Sequence, residues 1–131
     1  MQADPHSSPP SGSRTVLVVD DDQDLLDVTR FVLEGEGYGV LTARNGEEAL
    51  EVLLRADPRP VLVLLDLMMP VMNGWAFLEE RARQPALQAI PVLVLTASEP
   101  EEIPGAVGIL RKPFDLDALI NGVERHARGG P

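Results

Sequence analysis

Hydrophobic residues in this chain occur in two kinds of run, and the two alternate. The first kind is short and unbroken: TVLVVD (15–20), YGVLTA (38–43), PVLVLLD (60–66), PVLVLTA (91–97) and AVGILRK (106–112). A continuous aliphatic, β-branched run of this length suits a strand covered on both faces. The second kind repeats every three to four residues. Leu25, Leu26, Val28, Thr29, Val32 and Leu33 fall on one side of a helix that Asp22 is placed to cap, and GEGYG supplies glycines for its left-handed end. NGEEALEVLLRA (45–56) opens on Asn45 with Glu48 three positions on, the pattern of a capping box. A helix near 74–83 includes Trp75 and Leu78 among its apolar residues. The last, DLDALINGVERHA (115–127), has Asp115 as N-cap and a stripe of Leu116, Leu119, Ile120 and Val123, with His126 and Arg128 near the end where the helix dipole favours cations.

Strands alternating with amphipathic helices predict an α/β fold, an open doubly wound parallel sheet with helices on both faces. In such sheets function lies beyond the carboxyl ends of the strands. Those ends hold Asp20, Asp21 and Asp22 after the first strand, Asp66 after the third, Thr96 after the fourth and Lys112 after the fifth.

Composition limits what these groups can serve. The 131 residues make one domain with 44% hydrophobic content, which excludes a disordered acidic chain despite a net charge of −10. That charge argues against nonspecific nucleic-acid binding and against an anionic membrane surface as partner. No cysteine is present, so disulfides and thiolate metal sites are excluded, and the cytoplasm is the expected compartment. No apolar run reaches the length of a membrane span. Residues 1–14, MQADPHSSPPSGSR, lack the apolar stretch of a secretory signal and read as a disordered leader.

Two or three carboxylates with a carbonyl and waters make a hard-cation site, and Mg²⁺ suits it. Asp66, supplied by the most apolar strand, is placed as a nucleophile toward phosphorus. Lys112 and the Thr96 hydroxyl can offset charge on phosphoryl oxygens. Each residue alone has a plainer explanation. Asp22, and even Asp21, could cap a helix, Asp66 a turn, and Thr96 could simply end a strand. The methionines of LMMPVM fit packing, and His6 and His126 lack partners at metal-ligand spacing and fit solvent exposure. Convergence of four separate strand ends is what favours the chemical explanation.

VLVVDDD, LLDLMMPVMNG, VLVLTAS and LRKPF, in this order, resemble the receiver domain of two-component response regulators, over roughly residues 15–128. The resemblance implies a flavodoxin-like five-stranded sheet of order 2-1-3-4-5. It implies Asp66 as phosphoacceptor, Asp20 and Asp21 as the acidic pair serving Mg²⁺, and Met68 as the source of a backbone carbonyl to the metal. Thr96 and Lys112 match the family's hydroxyl and lysine, with a cis Lys112–Pro113 bond. A sensor histidine kinase or histidine phosphotransfer protein would supply the phosphoryl group. With no DNA-binding or effector segment after residue 128, output would pass to a downstream protein target or along a phosphorelay.

The chain departs from the family pattern in two places. Ile109 stands where an aromatic residue usually precedes the lysine by three, so no aromatic rotamer switch can operate there. The link SEPEEIPG (98–105) is short and holds Pro100 and Pro104, and an interior proline costs a helix about 3 kcal/mol. The usual helix between strands four and five is therefore expected to be reduced or absent. The ten linking residues 97–106 extend to roughly 33 Å, enough to return along a strand of about 17–20 Å. Two other functions remain open. A Mg²⁺-dependent phosphatase with an aspartyl nucleophile, resembling the haloacid dehalogenases, would want a second acid where Met68 stands. A phosphorylation-independent scaffold of receiver fold would not need the retained acids, threonine and lysine.

Overall fold

The computed structural model describes residues 14–97 and 102–127. Their elements run β1 (Thr15–Val19), α1 (Gln23–Gly35), β2 (Gly39–Ala43), α2 (Gly46–Arg55), β3 (Leu62–Asp66), α3 (Gly74–Ala82), β4 (Val92–Thr96), β5 (Gly108–Arg111) and α4 (Leu116–His126). All strands pair in parallel in the order β2-β1-β3-β4-β5. This is the flavodoxin-like sheet expected. The aliphatic runs of β1, β3 and β4 become inner strands buried on both faces, while the edge strands β2 and β5 are only partly covered. Leu17, Val19, Val63 and Leu65 point into one apolar layer with Ala49 and Leu53 of α2 and Phe77 and Leu78 of α3. The alternate residues Val16, Val18, Leu62 and Leu64 point into the other with Leu26 and Leu33 of α1 and Leu119 and Val123 of α4.

Helix starts follow the capping residues. Asp22 accepts from the backbone of Asp24 and Leu25, Asn45 from Glu48, and Asp115 from Ala118. Asn73 does the same for α3 through Ala76, a cap the apolar pattern did not single out. The capping box is shifted by one residue: Glu48 Oε1 accepts from the N–H of Arg44, at 2.7 Å, rather than from Asn45. After α1, Gly37 takes φ 95° and Tyr38 N–H returns to the carbonyl of Leu33 at 3.0 Å. The buried stripe of α1 is narrower than its apolar pattern, with Val28 49% exposed and only Leu26, Thr29 and Leu33 fully inside.

Two local expectations change. His126 is not a free surface residue: it is half-buried against β5, where a Cβ on Gly108 would lie 3.2 Å from its Nε2. Burial first, and Arg125 next, hold its imidazole below the ordinary histidine range. Arg14, the last residue of the expected leader, is tied to the fold: its guanidinium lies 5.0 Å over the Tyr38 ring and its carbonyl accepts from Gly39 at 2.9 Å. The rest of the leader (1–13, with His6), residues 98–101 of the link, and Arg128 lie outside the described residues. Among the described residues no helix lies between β4 and β5, and no helix is long and apolar enough to cross a membrane. Instead Ile103 is buried in the α2–α3 layer, a turn at Pro104–Gly105 follows, and Val107 N–H donates to Val92 O at 2.8 Å to start β5.

Candidate functional site

Parallel strands all end at the same edge, and that geometry collects the acids. β1 stops at Val19, so Asp20 lies just past the strand, where its N–H donates to Ala43 O of β2 at 3.1 Å. Its carboxylate accepts from Asp22 N–H at 2.9 Å, which turns the chain into α1 while the Asp22 side chain is used in capping. Asp66 closes β3, in register with Leu95 of β4. Ligand oxygens of Asp20, Asp21 and Asp66 lie within 4.8 Å of one another. Asp20 and Asp66 are buried and Asp21 is exposed, so the group opens to solvent on one side.

Lys112 reaches this group from beyond β5. Its Nζ lies 3.2 Å from Asp20 Oδ2 and 3.5 Å from Asp66 Oδ1. The Lys112 N–H donates to the Thr96 carbonyl at 2.9 Å, so the end of β4 fixes where the lysine begins, and the Lys112–Pro113 bond is cis. Thr96 is buried one step beyond the strand partner of Asp66. Met68 lies two residues after Asp66 in the loop that follows β3; its backbone helps hold the Asp66 carboxylate pKa down, and its side chain is exposed.

The electrostatics favour a cation. Burial, then the Asp20 carboxylate, pushes Asp66 above the usual carboxylate range, against the opposing pull of Lys112 and the Met68 backbone. Burial tends to lower the Lys112 ammonium, but Asp20 and Asp66 together outweigh it and raise its pKa, so it stays protonated. One ammonium thus faces two buried carboxylates with a third beside them. Oxygen donors, excess negative charge and an open side fit Mg²⁺, which keeps several waters and prefers oxygen.

A model of the response regulator receiver domain matches residues 16–124. The chain belongs to the response regulator receiver domain family. A protein of Leptolyngbya boryana, described as an uncharacterized 14.6 kDa protein, is 37% identical over 122 residues, covering 88% of this chain and 92% of its own. The response regulator SaeR of Staphylococcus aureus is 35% identical over 80% of this chain, which spans 46% of SaeR. Among solved structures, the chemotaxis response regulator CheY4 of Vibrio cholerae aligns at TM-score 0.79 and 33% identity, covering 86% of this chain and 98% of its own. The receiver domain of a signal transduction histidine kinase from Syntrophus aciditrophicus gives TM-score 0.79 at 32% identity, over 89% of this chain and 92% of its own.

The predicted site residues all lie at or just past the carboxyl ends of the strands. The structure brings together Asp20, Asp21, Asp66 and Lys112 and places Thr96 and Met68 on adjoining segments. Residue-type reasoning missed the main-chain partners, above all the Ala43 carbonyl that holds Asp20. Gly74 was legible in principle, as the glycine after Asn73. A Cβ there would come within 2.8 Å of the Asp66 carbonyl oxygen.

Proposed function

We propose that this receiver domain is a phosphoacceptor, taking a phosphoryl group on Asp66. The observation that carries the reading is the placement of Asp66: buried, its carboxylate 3.5 Å from the Lys112 ammonium and grouped with Asp20 and Asp21. The donor would be a phosphohistidine on a sensor histidine kinase or histidine phosphotransfer protein. An Asp66 oxygen attacks phosphorus, the P–N bond breaks, and the electron pair leaves with the imidazole, which is then protonated. Water later cleaves the acyl phosphate and restores the carboxylate. Asp20, Asp21, Asp66 and the Met68 carbonyl would hold Mg²⁺, which when bound neutralises charge on the phosphoryl oxygens. Lys112 is placed to pair with one of those oxygens, and the Thr96 hydroxyl to donate to another. Output would pass through contact with a downstream protein target.

Incubation with Mg²⁺ and a small phosphodonor, followed by intact-mass measurement, tests this reading. A single phosphoryl adduct is expected, labile to base, absent when the metal is chelated and absent in Asp66→Asn. An adduct that persists in Asp66→Asn would move the acceptor elsewhere. A folded wild-type protein that never takes label would favour the phosphorylation-independent scaffold.

A further inference from the structure

We propose that Gly46, which is no ligand and lies on a different element, is a positioning residue for the metal and phosphoryl site. The inference rests on the function just proposed. The β2–α2 turn touches both sides of the site within four residues. At its start the Ala43 carbonyl accepts from Asp20 N–H at 3.1 Å; at its end Gly46 N–H donates to the Met72 carbonyl at 2.8 Å. The first segment carries the acidic pair and the second belongs to the loop of Met68. One short turn thereby sets the separation between Asp20 and the Met68 loop.

The turn is itself pinned. Asn45 caps α2 through Glu48 N–H, and Glu48 accepts from Arg44, so the direction of the Gly46 amide is fixed. As a first-turn amide it has no acceptor within its own helix. The loop it grips is bent sharply: Met72 N–H donates to Pro70 O at 2.7 Å around Val71, whose φ is 67°. A β-branched residue at positive φ is strained and persists only where its surroundings hold it. Gly46 provides that hold by close approach. A Cβ there would lie 2.7 Å from Met72 Cγ, 3.0 Å from its Sδ and 2.8 Å from its carbonyl oxygen. The side chain can swing aside, but the carbonyl cannot move without shifting the loop.

Gly46→Ala tests the assignment against Leu53→Ala, which opens the core on the same helix without touching the turn. Calorimetric titration with Mg²⁺ alone should show at least tenfold weaker binding in Gly46→Ala and a change within twofold in Leu53→Ala. In the metal-free proteins, amide shifts of residues 68–73 should move in the first and stay in the second. Gly46→Ala in a Met72→Ala background keeps only the carbonyl clash. It is expected to fold and show the same loss where the single variant does not. Equal Mg²⁺ affinity in Gly46→Ala and wild type, or equal losses in Gly46→Ala and Leu53→Ala, would overturn the positioning role. Absence of Mg²⁺ binding in the wild type would instead overturn the functional reading beneath it.

Discussion

Asp66 is held in a state that opposes folding when no cation is bound. Burial and the facing Asp20 raise its pKa, so the folded state binds this proton more tightly than the unfolded chain does. The sign follows by linkage. The proton-linked stability is fully present below the unfolded carboxylate pKa and is lost as pH rises through the raised folded value. At neutral pH the ionised side chain is therefore a net cost, so Asp66→Asn is expected to melt higher than wild type without Mg²⁺. Thermal unfolding across pH 3 to 7 should show the advantage shrinking toward acid. A lower melting temperature for the variant at pH 7 would mean that Lys112 more than offsets the burial and the Asp20 charge. At this scale the sequence was informative, because an acid ending an aliphatic run is visible as written. The Ala43 carbonyl was not, since every residue carries one and only the β1–β2 register selects it.

At the scale of elements the decisive segment is the one between β4 and β5. Its prolines and brevity forecast the missing helix, and the chain does return in parallel without one among the described residues. What the pattern did not reveal is the substitute. Ile103 stands alone between polar and proline residues, with no periodicity to mark it as core, yet it is 5% exposed and packs into the α2–α3 layer. Gly105, at φ 92°, then lets the backbone pass close over Leu78. Beside this segment an open trough of about 770 Å³ runs along Val107, Ile109 and Arg111. One isoleucine here does part of the work of a helical stripe. Ile103→Ala is expected to cost about 2–5 kcal/mol in denaturant unfolding, as for other buried isoleucines. A loss below about 0.5 kcal/mol, the usual effect of a surface substitution, would show that the link is not anchored there. Because Ile109 is an aliphatic side chain packed on the same layer, no aromatic rotamer switch operates at this position of β5. Hydrogen exchange with a phosphoryl mimic should accordingly change protection in residues 67–73 and 102–107 and leave α4, held by Leu119 and Val123, little altered.

For the whole molecule the question is how a chain of net charge −10 folds with part of that charge gathered in one cluster of two buried acids and an exposed third. Two electrostatic effects are superposed. Diffuse self-repulsion among exposed acids is relieved by any salt, because screening acts within a Debye length of about 10 Å at 0.1 M. Repulsion between the buried Asp20 and Asp66 carboxylates is screened far less; Lys112 offsets part of it, and a cation bound among the oxygens would offset more. The two separate experimentally. At matched ionic strength, Mg²⁺ should raise the melting temperature more than Na⁺. The difference should grow with concentration as binding to the folded state alone requires, adding about 1.4 kcal/mol at ten times the dissociation constant. Asp20→Asn removes one donor of the group but leaves the diffuse charge nearly intact. It should keep the response to Na⁺ and lose most of the excess response to Mg²⁺. If Mg²⁺ and Na⁺ act alike on the wild type, the carboxylates at the strand ends are balanced by Lys112 and general screening alone, and the metal has no part in holding this edge together.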